Sequence, residues 1–154
     1  MLSLLSVKAW GQSAARPIGL CTANETSYFS CQTARAQWIS LCGEPDGLVQ
    51  YRFGKLGKIE LRFPAGDDRK QTLRFSHYFR YQVDRFEVTF EIAGVDYAVF
   101  DSTEGARRER GVSVTKPNQP DVSLKCVGRG QSRMIDLEPL LPCDPDNALS
   151  SCSH

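Results

Sequence analysis

The residues best equipped for chemistry in this 154-residue chain are six cysteines, Cys21, Cys31, Cys42, Cys126, Cys143 and Cys152, and two histidines, His77 and His154. Cys31 and Cys42 sit within the stretch YFSCQTARAQWISLCG (Tyr28–Gly43), which reads as one hairpin. Zinc sites bring cysteines together two to four residues apart and back them with further cysteines or histidines. No such pair occurs, and His77 is the one internal histidine. An even number of widely spaced cysteines reads instead as a disulfide framework formed in an oxidising compartment. The cysteines are therefore expected to be staples, and no metal and no cofactor is expected.

Other chemistry-bearing groups lead to the same place. His77 has Ser76 beside it and Asp84 nearby, but neighbours on a strand point to opposite faces, so Ser76 and His77 cannot make a nucleophile–base bond. His77 falls on an apolar register and reads as a core-edge histidine with a satisfied nitrogen. Asp144 and Asp146 resemble the start of a calcium loop, yet position 148 is alanine and no glutamate follows. The acid pairs Asp67/Asp68 and Asp101/Glu104 are expected in solvated turns rather than as a hydrolytic dyad. No catalytic constellation is assembled, and the expectation is a protein that is not an enzyme.

What remains is suited to contact. Arg107, Arg108 and Arg110 form a basic run with Glu109, expected as a loop between strands. Tyr78 and Arg80 lie on the polar side of the segment Leu73–Val83, and Tyr and Arg are over-represented at binding hot spots. These five residues, Tyr78, Arg80, Arg107, Arg108 and Arg110, are the expected partner-binding set. Gly128, Arg129 and Gly130 read as a turn.

The elements that position these residues follow from alternation. Val49, Tyr51 and Phe53 share one face, as do Ile59, Leu61 and Phe63, with a turn at Gly54–Gly57 between the runs. Phe86, Val88, Phe90 and Ile92 alternate with polar residues. A turn at Ala93–Gly94 then sets Phe90 opposite Tyr97 and Val88 opposite Val99. Gly111–Lys116 and Asp121–Val127 flank a Pro-Asn-Gln-Pro turn. Leu73–Val83 reads as one long strand or as two with a bend near Ser76 and His77. Such dense period-2 patterning predicts an all-β, antiparallel domain of about eight strands, a sandwich or a partly closed barrel. One short C-terminal helix is expected, capped by Ser132 and ended by Pro139 and Pro142. An acidic, solvated tail then runs from Cys143 to Cys152.

Length suits one domain, spanning 16–154, with a net charge of +1 that gives no reason to expect nucleic acid. No run is long enough for a transmembrane helix, so no membrane insertion is expected. Residues 1–15 read as the remnant of a signal peptide or as an unusual mature N-terminus: Met1–Val7 is apolar, and Gln12–Ala15 places small residues where a signal peptidase inspects them. Cys143 and Cys152 are expected to form a local clasp. With a hairpin turn near Arg35–Ala36, Cys31 faces Ser40 and Cys42 faces Phe29, which makes the two cysteines diagonal neighbours. Either a mutual bond or separate partners is then open, and a mutual bond would leave Cys21 for Cys126.

The hairpin cysteines, the stretch Tyr51–Leu61, Ser76–Arg80, Tyr97–Phe100 and Val122–Cys126 together resemble a group of small exported proteins of Gram-negative bacteria. The likeness spans about residues 20–147 and rests on strand and turn signatures, with no catalytic motif. The group's first hairpin turns through an Asn-Gly-type pair, where this chain has Ala34, Arg35 and Ala36. In character the chain is also similar to periplasmic lysozyme inhibitors and to immunity proteins that neutralise toxins of rival bacteria. The resemblance implies a periplasmic protein-binding or inhibitor protein, most specifically an immunity protein against a secreted toxin such as a type VI secretion effector. The alternative is a binder of cell-wall glycan or a small ligand, or an enzyme whose site is not recognised.

Overall fold

The computed structural model describes residues 18–66, 72–149 and 152. The possible signal-peptide remnant, Asp67/Asp68 and His154 lie outside the described residues. Among the described residues nine strands form: β1 (Thr26–Thr33), β2 (Trp38–Gly43), β3 (Val49–Lys55), β4 (Lys58–Phe63), β5 (Arg74–Arg80), β6 (Val83–Ile92), β7 (Val95–Glu104), β8 (Arg107–Thr115) and β9 (Val122–Ser132). They make one antiparallel sheet in the order β4-β3-β2-β1-β9-β8-β7-β6-β5, open between its edges β4 and β5. Among the described residues no helix is long and apolar enough to cross a membrane.

Alternation sets which face is buried, and the register lines the apolar residues into ladders. Phe75, Val88, Val99, Val112 and Leu124 stand opposite one another across β5 to β9. Phe29, Leu41, Tyr51 and Phe63 do the same across β1 to β4. The two ladders meet: Tyr51 and Phe63 bring their rings to 4.8 and 4.7 Å from that of Phe90, and Phe90 stacks on Tyr97 at 4.9 Å. Burial raises the ionisation of the Tyr51 hydroxyl well above the usual phenol range, with Tyr97 adding to the effect. Strand β9 joins the halves. Val122–Lys125 pairs with β8, Cys126–Ser132 with β1, and a bulge with Gly128 at φ 67° lies in the β1-facing half.

Several expectations are corrected here. Gly128–Gly130 is this bulge inside a strand, not a turn. The Leu73–Val83 segment, expected as one long strand or as two with a bend near Ser76 and His77, instead turns at Tyr81–Gln82, where Gln82 takes a left-handed φ of 58°. Arg107, Arg108 and Arg110 belong to β8 and not to a loop, and Asp101 and Glu104 belong to β7 and not to a turn. The C-terminal helix is a single 3-10 turn, Met134–Leu137, preceded by Arg133 with no side-chain cap. The nearby Pro139 allows no longer helix, and the Ser132 hydroxyl is drawn to Asp101 instead.

All six cysteines pair: Cys21–Cys42, Cys31–Cys126 and Cys143–Cys152. The clasp Cys143–Cys152 is as expected, while a Cys31–Cys42 bond is ruled out by register. Cys31 faces Ile39 rather than Ser40, and a shift near Tyr28 sets Cys42 against Ser27. One residue of slip moves a side chain to the other face, so Cys31 enters the core while Cys42 lies on the outer side.

Both outer faces carry a cover. Over β1–β3, the segment 18–25 is held by Cys21–Cys42 and by the Leu20 N–H donating to Ser40 Oγ. It buries a polar layer of Ser30, Ser40, Gln50 and Arg52. Arg52 donates to both carboxylate oxygens of Glu25, at 2.7 and 2.6 Å, and to the Leu20 carbonyl. Over β5 and β6, the acidic tail docks rather than standing in solvent. Phe75 N–H donates to the Pro142 carbonyl and Asp144 N–H to the Phe75 carbonyl. Thr89 donates to Asp144, and Asn147 to Glu87.

Candidate functional site

The turns Tyr81–Gln82 and Gly105–Ala106 lie side by side at one end of the sheet, joined by the Gly105 N–H donating to the Gln82 carbonyl at 2.8 Å. This contact brings Tyr78 and Arg80, on β5, to the same end as Arg107 and Arg108 on β8. Tyr78 stands opposite Arg85 on the outer face, and the Arg80 guanidinium sits 5.8 Å from the centroid of the Tyr78 ring. Phe79 and Tyr81 are 74% and 87% exposed. Apolar side chains this open, three rings in four residues, are the feature of this end that stability does not require.

The arginines divide by partner. Arg85 pairs with Glu104, Arg107 with Glu109, and Arg133 with Asp136. Arg108 forks onto Asp101 through Nε and Nη2, at 2.9 and 2.7 Å. Burial pushes the Asp101 carboxyl up, but the bonds from Arg108 and Ser132, with the charge of Arg110, hold it below the usual range. The same bond raises Arg108. Arg110 stands opposite Asp101 on the inner side. Among the described residues no carboxylate pairs with Arg80. Of the expected contact set, Tyr78 and Arg80 are thus outward and available. Arg107 is exposed and shares Glu109 with Lys125, while Arg108, half exposed, and Arg110 face Asp101 on the inner side of the sheet.

Behind the tip that network borders a cavity of about 300 Å³ lined by His77, Asp84, Asp101, Arg108, Ser132 and Arg133. His77 Nε2 lies 2.8 Å from Asp84, and Nδ1 lies 3.4 Å from Glu138 on the chain after the 3-10 turn. An acid is therefore placed on His77, and it ties β5 to β6. Ser132 donates to Asp101 rather than to His77, so its hydroxyl has no base positioned to activate it. The arrangement does what a satisfied ion network does: it fixes the inner face beneath the hairpin tip.

Phe79 and Tyr81 were not singled out by sequence, because continuous alternation from Leu73 to Val83 put both on the buried side. The turn that frees them uses Tyr81 and Gln82 and carries no Gly, Pro, Asn or Asp. The Asp101–Arg108 pair had a usable signal. Once Gly105 is taken as the turn, antiparallel counting sets Asp101 opposite Arg110 and diagonal to Arg108. No family model, no curated protein and no solved structure matches the chain.

Proposed function

We propose that this chain is an exported protein-binding protein of the inhibitor or immunity type. Its target would be a bacterial toxin, such as a type VI secretion effector, or a cell-wall-active enzyme, met in the periplasm. The observation that carries the reading is the hairpin end: Tyr78, Phe79 and Tyr81 are exposed there, with the Arg80 guanidinium over the Tyr78 ring and, among the described residues, no carboxylate paired to it. Three disulfides favour an oxidising, exported setting and stiffen the sheet behind the tip, so that binding loses little to ordering. No catalytic role belongs to this reading.

The test is a pull-down from periplasmic extract followed by mass spectrometry, then affinity measurements with single alanine variants. Tyr78, Phe79, Arg80 and Tyr81 are expected to include at least one anchor costing about 2 kcal/mol or more. Arg107→Ala should cost roughly 0–1 kcal/mol with marked salt dependence, while Arg108→Ala should act through folding stability. Wild-type affinity in all of the tip variants would move the interface elsewhere. A second reading, glycan or small-ligand binding, draws on a groove of about 770 Å³ lined in part by Arg74, Glu87, Thr89, Tyr97, Asp144 and Asn147. Its carboxylates, hydroxyl and ring are groups that hold sugars. Chemical-shift changes at these residues on adding soluble cell-wall fragments would favour it over the first.

A further inference from the structure

We infer that the C-terminal tail is a redox-releasable cover on the edge of β5. Strand β5 ends the sheet, and the tail occupies that edge with a single parallel bridge, Phe75 to Cys143, and two backbone bonds of 2.9 and 2.8 Å. Side-chain bonds to the outer face, Asp144 to Thr89 and Asn147 to Glu87, and packing of Leu141 and Cys143 against the core add to these. The docked tail is thus held by few hydrogen bonds.

The disulfide Cys143–Cys152 joins residues only 9 apart and is internal to the tail. Its closure restricts the freedom that the undocked tail would gain. It is also the one bond of the three with both cysteines partly exposed. Cys21 and Cys42 are buried, as is Cys31 in its bond to Cys126. A thiolate of a dithiol reductant attacks one sulfur of this bond, and a mixed disulfide forms as the bond breaks. The reductant's second thiolate then displaces the protein sulfur. Two electrons and two protons leave Cys143 and Cys152 as thiols, and the reductant departs as its own disulfide. Opening a loop of this size raises the undocked population by roughly tenfold to a hundredfold. It bares the β5 edge beside Tyr78–Tyr81. The inference stands on the tail's own contacts and does not depend on which partner the hairpin end meets.

The test uses the oxidised, folded protein. Dithiothreitol is titrated under native conditions, thiols are trapped with iodoacetamide, and peptides are mapped by mass spectrometry while amide exchange is followed. Cys143 and Cys152 should be alkylated at reductant levels that leave the other two bonds intact. The Phe75 and Asp144 amides should then exchange roughly ten to a hundred times faster, with β1–β3 unchanged. The double variant Cys143→Ser/Cys152→Ser should show the same loss of protection without reductant. Reduction of all three bonds together, or of another bond first, would overturn the inference. So would unchanged protection of Phe75 and Asp144 in either the reduced protein or the double variant.

Discussion

Glu25→Gln isolates the contribution of the buried pair that holds the N-terminal segment to the sheet. The Glu25 carboxylate accepts two bonds from Arg52 and one from the Thr22 N–H at 2.7 Å, and both side chains of the pair are 6% exposed. Burial pushes the carboxyl up, but the bonds from Arg52 and Thr22 outweigh it and hold the group at about 2, against an ordinary 4.5. Because the folded value is the lower one, the pair's contribution is fully present above about pH 4.5. It is lost as pH falls toward 2, where the unfolded chain takes up the proton first. At about 1.4 kcal/mol per pH unit, the gap corresponds to on the order of 3 kcal/mol.

Urea unfolding followed by circular dichroism, on both proteins from pH 7 to pH 2.5, measures this directly. The variant should be less stable by about 3 kcal/mol or somewhat more at pH 7, since Arg52 keeps its charge in a buried site without its counter-ion. The difference between the proteins should narrow by more than half at pH 2.5. Comparing the two removes the background of other carboxylates whose ionisation the fold favours, such as Asp101. A difference that stays constant across this range would refute the reasoning. Glu25 would then be a packing residue whose charge contributes nothing to stability.

His77→Gln should destabilise by about 1–3 kcal/mol through the lost bond to Asp84, and denaturant melts with unchanged partner affinity would mark the role as structural. Gly111→Ala should open the β8–β9 pairing, because an added Cβ would clash with the Leu124 carbonyl oxygen; a thermal melt shifted down by several degrees, with faster exchange at Gly111–Val114, checks it. Thiol titration of the denatured, unreduced protein should find almost no free thiol, and four or more would remove the disulfide framework. Replacing Cys31 and Cys126 together by serine opens a 95-residue separation and should cost on the order of 4 kcal/mol in a denaturant melt.

Strands β3, β4, β6 and β7 were legible because each depends on local information: apolar residues at every second position, and a turn with glycine between partners. The Phe90–Tyr97 and Val88–Val99 pairs follow by counting outward from Ala93–Gly94, and the structure has them as counted. Where the local signal fails, so does the reading. The Ala34–Ala36 turn fixes no register by composition, and Ala36 takes a left-handed φ of 61° without glycine to announce it. The one-residue error there changed which face Cys42 occupies and hence its partner. The tail read as solvated because its bonds reach β5 and β6 from more than fifty residues away, a distance at which alternation carries no information.

The same distinction governs the candidate surface. Tyr78 and Arg80 were recoverable from the outward phase of their strand alone. Phe79 and Tyr81 belong to the opposite phase, and nothing short of the Tyr81–Gln82 turn releases them from the core. The arginines of β8 looked like the electrostatic part of the surface because their carboxylates are remote in sequence and adjacent only across strands: Glu109 beside Arg107, Asp101 against Arg108. Pairing offsets part of the charge at the hairpin end, with Glu109 shared between Arg107 and Lys125 and Asp101 between Arg108 and Arg110. Long-range attraction between like-sized charge patches is then a poor account of how this end would find a partner. Burial of the three rings, with the Arg80 guanidinium over that of Tyr78, is the stronger one. A surface of that kind loses affinity mainly through faster dissociation when a ring is truncated and responds weakly to salt. An arginine-led surface would do the reverse.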